Sequence, residues 1–88
     1  MNIMPSAYIL LNTKPNSELE IIKKIKDLMN ANNQIAKYEI HGVYGVYDMI
    51  VEIECSAMEN LRDVLGKIRR VDKVISTITM LVIKEQEL

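Results

Sequence analysis

The sequence predicts one α+β domain, a four-stranded antiparallel sheet carrying two helices on one face. Three observations lead there. Two segments repeat apolar residues at spacings of three and four, the period of an amphipathic helix. Four others run apolar or alternate with a period of two, as strands do. Their order along the 88 residues is β-α-β-β-α-β, which right-handed crossovers arrange spatially as 4-1-3-2.

The first strand is the unbroken apolar run Ala7-Tyr8-Ile9-Leu10-Leu11, closed by Asn12-Thr13-Lys14-Pro15-Asn16. Ser17 followed by Glu20 has the spacing of a capping box. Leu19, Ile21, Ile22, Ile25, Leu28 and Met29 then form the apolar stripe of a helix that ends at Asn30-Ala31-Asn32-Asn33. From Ile35 to Val43 the pattern alternates loosely, with Ala36, Tyr38 and Ile40 inward and Lys37, Glu39 and His41 outward. One wet face marks an edge strand.

Gly42-Val43-Tyr44-Gly45 signals a turn or bulge. Beyond it, Tyr47 to Cys55 alternates cleanly, with Met49, Val51, Ile53 and Cys55 inward. The two strands make a hairpin. Ser56 with Glu59 repeats the capping spacing before the stripe Met58, Leu61, Val64, Leu65 and Ile68. Val71-Asp72-Lys73 turns the chain into a β-branched strand from Val74 to Ile83, and Lys84-Glu85-Gln86-Glu87 reads as a frayed tail.

Composition bounds the function. Hydrophobic residues make up 49% of the chain, with no Trp or Phe, so the core is aliphatic. So short a domain has little interior to hide that surface, and some of it is expected to meet another subunit. The net charge of -1 argues against direct nucleic-acid binding, which needs a clustered positive surface. Lys23-Lys24-Lys26 and Lys67-Arg69-Arg70 fall on helices and read as solvated faces. Cys55 stands alone, which excludes an internal disulfide and favours a reducing, cytoplasmic setting with the thiol as a small buried hydrophobe. No signal peptide is visible, and Ala7–Leu11 is too short to cross a membrane.

Two helices cover only one sheet face. The hairpin strands meet this with polar outer residues, Lys37, Glu39, Glu52 and Glu54. The first and last strands do not. Ala7, Ile9 and Leu11 alternate with Tyr8 and Leu10, and Ile75, Thr77, Thr79, Leu81 and Ile83 alternate with Val74, Ile78, Met80 and Val82. Either arrangement leaves an apolar strip, each residue of which forgoes roughly 1.5–3 kcal/mol if left wet. Sheet-to-sheet homodimerisation follows as an expectation.

Catalysis and metal binding find little support. His41 is the single histidine, so triads must pass through it and multi-histidine metal sites are excluded within one chain. Asp48, Glu52 and Glu54 read as a solvated strand face. No phosphate loop, zinc pair or calcium loop is present, and no cofactor is implied. The better candidate is the hairpin Val43-Tyr44-Gly45-Val46-Tyr47-Asp48. Its glycines would let backbone N–H groups meet a carboxylate, and Asp48 could hold an ammonium, the two charges of an amino acid. The competing reading is a plain hairpin whose Asp satisfies turn amides.

Ala7-Tyr8-Ile9-Leu10-Leu11, Gly45-Val46-Tyr47-Asp48 and Val74-x-x-Thr77-x-Thr79 resemble the opening strand, the Gly-x-Tyr-Asp hairpin and the closing strand of one family. It is the effector domain (the RAM domain) of the Lrp/AsnC transcription regulators. The resemblance runs from Ala7 to Ile83 and implies a ferredoxin-like fold that pairs through its sheets, often into octameric rings, with amino acid effectors bound between dimers. It points to Gly45, Val46, Tyr47 and Asp48 for backbone and ammonium contacts. Thr77 and Thr79 would supply hydroxyls, from a neighbouring subunit, and His41 and Tyr44 the pocket wall.

The family's full-length members begin with a winged helix-turn-helix, for which there is no room before Ala7. Residues 1–88 are thus expected to form a stand-alone effector domain. It would co-assemble with full-length Lrp/AsnC regulators or compete with them, without touching DNA. Gly42 and Tyr44 depart from the residues usual in the family's hairpin. An ACT-type regulatory module and a small ferredoxin-like dimeric enzyme are the alternatives.

Overall fold

The structure, a computed structural model, describes residues 4–82. Its elements are β1 (Ser6–Thr13), α1 (Glu18–Asn30), β2 (Ile35–Gly42), β3 (Met49–Cys55), α2 (Met58–Arg69) and β4 (Val74–Val82). All neighbouring strands are antiparallel in the order β2-β3-β1-β4, the predicted arrangement read from the other edge. Ile83 and the expected tail lie outside the described residues.

Alternation builds the core. Ala7, Ile9 and Leu11 of β1 and Met49, Val51, Ile53 and Cys55 of β3 point to the helices and are fully buried. They meet Ile21, Ile25 and Met29 of α1 and Leu61, Val64, Leu65 and Ile68 of α2. Desolvation raises the Cys55 thiol pKa, as an inert core cysteine requires. Leu19 departs from the expected stripe: it is 85% exposed on the first turn of α1, whose buried residues are Ile21, Ile25 and Met29.

Neither predicted serine cap forms. Ser17 occupies the cap position of α1, but its hydroxyl donates to the Lys14 carbonyl, and Lys73 claims the Glu20 carboxylate at 3.0 Å. At α2 the cap position belongs to Ala57, because the Ser56 hydroxyl donates to Gln34 Oε1 at 2.6 Å. At α1 the competing partners are a local carbonyl for Ser17 and the tertiary Lys73 for Glu20, and at α2 the tertiary Gln34 takes the Ser56 hydroxyl.

Two register shifts revise the predicted faces. Between Ile35 and Lys37 the pairing with β3 slips, so Ala36 is exposed while Ile35, Tyr38 and Ile40 pack on the core. Between Asn12 and Thr13 the pairing with β4 slips past Ile75. Val74 therefore packs inward and Ile75 is 62% exposed, the reverse of simple alternation. Beyond that point Thr77, Thr79 and Leu81 sit opposite Leu11, Ile9 and Ala7 on the helix side.

The other sheet face is open and divided. Across β1 and β4 it presents Tyr8, Leu10, Ile78, Met80 and Val82, none of them fully buried. Across β2 and β3 it presents Lys37, Glu39, His41, Glu52 and Glu54, with Ile50 at the boundary. Tyr8 Oη donates to Glu52 Oε2 at 2.9 Å where the halves meet, and that carboxylate raises the phenol pKa. Among the described residues no helix is long and apolar enough to cross a membrane.

Candidate functional site

The connection from β2 to β3 runs from Val43 to Asp48. Gly45 adopts φ 131°, a conformation closed to most side chains, and gives the turn its shape. The Val43 N–H donates to the Asp48 carbonyl at 3.0 Å and closes the loop. Asp48 fixes it to the sheet, its N–H donating to the Leu11 carbonyl at 2.9 Å and its Oδ2 accepting the Thr13 N–H at 2.9 Å. Tyr47 and Asp48 thus belong to the connection rather than to β3, and Asp48 does not share a strand face with Glu52 and Glu54.

Beside this loop lies a cleft of about 410 Å³ lined by Glu18, Gly42, Val43, Tyr44 and Asp48. Tyr44 and Val46 stand out in solvent. The cleft offers two carboxylates and a strip of main chain to a ligand. Glu18, on the first turn of α1, was not legible as a site residue, because only the packing of α1 beside the hairpin brings it there. Behind the cleft Thr13 Oγ1 is buried without a hydrogen-bond partner.

The other predicted residues do not converge on this cleft within one protomer. His41 lies on the open face of β2, exposed, with Nε2 3.3 Å from Glu39 Oε2. Thr77 and Thr79 lie on the opposite face of the far edge strand, and Thr79 Oγ1 accepts from Arg69 Nη2 at 2.9 Å. Strand β1 lies between Thr77 and Asp48, since Leu11 accepts from the Asp48 N–H and pairs with Thr77 across the sheet, a separation of roughly 10 Å at the usual strand spacing. A larger groove of about 520 Å³ between the helices is lined by Leu28, Ala31 and Val71 with Lys24, Lys67 and Arg70. Two of these cations are already paired, Lys24 with Glu20 and Lys67 with Asp63.

Residues 6–87 match the family model described as the Lrp/AsnC ligand binding domain. The chain belongs to that family. Among solved structures, FFRP-DM1 is similar at 32% identity over 91% of this chain and 100% of that one, with a TM-score of 0.72. A hypothetical protein from Pyrococcus horikoshii shares 32% identity over 93% of each chain, with a TM-score of 0.71. AsnC of E. coli, at 18% identity and TM-score 0.63, shares the fold; the match covers 96% of this chain and 54% of AsnC. A dimeric ferredoxin-like protein from Thermobifida fusca likewise shares the fold, at 14% identity over 90% of each chain and TM-score 0.64. No curated protein matches the chain. Membership of the Lrp/AsnC domain family supports a regulatory, effector-binding role.

Proposed function

We propose that this Lrp/AsnC domain senses an amino acid and converts its binding into a change of assembly that alters transcription or amino acid metabolism. The observation that carries the reading is the position of the hairpin cleft. It sets the carboxylates of Glu18 and Asp48 beside the hairpin at Gly42, Val43 and Tyr44. An α-ammonium would meet Asp48, whose Oδ1 has no hydrogen-bond partner among the described residues, and an α-carboxylate would meet loop N–H groups.

The domain acts as an oligomer. Two copies pair their open faces through the strip Tyr8, Leu10, Ile78, Met80 and Val82, and dimers assemble further into a ring such as an octamer. His41, Thr77 and Thr79 reach an effector only from a neighbouring subunit, since within one protomer they lie away from the cleft. An effector at such a boundary favours one assembly over another by its differential affinity, which makes the coupling reciprocal. The module works in the cytoplasm without catalysis, co-assembling with full-length Lrp/AsnC regulators and leaving DNA contact to them.

Calorimetric titration with each of the twenty amino acids tests the reading. One or more should bind and shift the sedimentation profile, and Asp48→Asn should weaken that binding at least tenfold. No heat and no change of assembly with any of them would overturn it.

A further inference from the structure

We propose that β4 also pairs edge to edge with β4 of a second copy, joining two sheets into one continuous sheet. The two edges of the sheet are built differently. The β2 edge carries Lys37, Glu39 and His41 and is bent by the bulge at Ala36, the usual protection against strand addition. The β4 edge, Val-Ile-Ser-Thr-Ile-Thr-Met-Leu-Val over Val74–Val82, holds no charge, proline or glycine, and its irregularity is confined to its first residues. Such an edge is a template for another strand.

The register of β1 shows which groups this edge presents. The Cys55 N–H donates to the Pro5 carbonyl at 2.9 Å, and the Leu11 carbonyl accepts from Asp48. Alternation therefore turns the main-chain groups of Ala7, Ile9 and Leu11 toward β3, and those of Ser6, Tyr8, Leu10 and Asn12 toward β4. Their partners there are Val82, Met80, Ile78 and Ser76. The N–H and C=O of Thr77, Thr79 and Leu81 consequently point out of the sheet.

A two-fold axis through Ile78 makes this edge complementary to itself. Thr77 then faces the partner's Thr79 as a hydrogen-bonded pair, each exchanging N–H and C=O, and their side chains meet as a favourable Thr–Thr pair. Ser76 faces the partner's Met80, and the regular pairing ends there, because the bulge turns Val74 inward and Ile75 outward. Ile78 faces itself as a non-hydrogen-bonded pair with Cα atoms about 4.5 Å apart. No charge opposes another anywhere along the pairing. The occupant of the edge is thus a second copy of this chain, and the contact is separate from pairing through the open face and independent of any effector.

Cysteine cross-linking distinguishes the two contacts. In the full chain, Ile78→Cys should oxidise to a disulfide-linked dimer, because about 4.5 Å lies within disulfide reach. Met80→Cys should cross-link at least tenfold more slowly, since its two copies are offset along the strands by four residues, about 13 Å. Face-to-face sheets hold their strands about 10 Å apart, beyond a disulfide at either position. Adding Thr79→Pro, which removes an outward N–H and spares the β1 ladder, should abolish the Ile78→Cys cross-link while circular dichroism stays native. No cross-link at Ile78→Cys, equal cross-linking at both positions, or a cross-link that survives the proline would overturn the proposal.

Discussion

The two halves of the open sheet face have the same backbone geometry and opposite chemistry. On β2 and β3 the outward residues are Lys37, Glu39, His41, Glu52 and Glu54, and water satisfies them. On β1 and β4 they are Tyr8, Leu10, Ile78, Met80 and Val82, with Ile78 49% and Met80 50% exposed. Strand position does not explain the contrast, because each half contains one edge strand and one central strand. The difference lies in what each half must touch. The charged half is finished as it stands, and the apolar half is the strip that the proposed sheet pairing would cover.

The sharpest way to test that contrast is to set a buried residue against an open one. Ile53→Ala, on the helix side, should cost about 2–5 kcal/mol in urea denaturation because it empties a closed core. Ile78→Ala should cost under about 1 kcal/mol at protein concentrations low enough to keep protomers apart, since water already reaches half of that side chain. Equal losses would mean that Ile78 is part of the protomer's own core.

A smaller effect is expected where the two sides of the sheet meet the hairpin. Thr13→Val keeps the shape and removes a buried hydroxyl that has no partner. Thermal denaturation should show a gain of about 1 kcal/mol, and a loss would reveal a partner for that hydroxyl in solution.

The smallest effect concerns the tie from Glu20 on α1 to Lys73 before β4, at 3.0 Å. The Lys73 ammonium holds the Glu20 carboxyl below its usual pKa, and Glu20 holds Lys73 above its own. Glu20 therefore contributes stability above the unfolded carboxyl pKa and loses it as pH falls through the lower folded value. Lys73 contributes below the unfolded lysine pKa and loses its part as pH rises through the higher folded value. Both groups are exposed, so Lys73→Ala should only shallow the acid limb of the melting profile. An unchanged acid limb would show that the pair does not persist in solution.

Much of the fold was legible in the sequence because periodicity reports burial directly. The strict alternation from Met49 to Cys55 and the helix stripes placed the core, and three short motifs placed the family. What was missed depends on distant partners. Nothing local in Ile35-Ala36-Lys37 or Val74-Ile75-Ser76 announces a bulge, since each exists only against the register of its neighbour. Distant partners also account for Ser56 and Glu20, drawn to Gln34 and Lys73, whereas the Ser17 hydroxyl turns to the nearby Lys14 carbonyl.

The hairpin was legible as a site through Gly45 and Asp48, and both of its readings were visible. Asp48 does satisfy an amide, that of Thr13, which leaves Oδ1 for the proposed ligand. Glu18 entered the cleft only through the packing of α1. His41, Thr77 and Thr79 came from resemblance, and their separation in one protomer ties their proposed role to assembly.

Sedimentation of the wild-type chain at micromolar concentration, run beside Met80→Lys, measures whether the apolar half of the sheet is a contact. A dimer or larger species that falls to the 10.1 kDa protomer in the variant, with the fold intact, is the predicted result. A wild-type chain that sediments as a single protomer would contradict it.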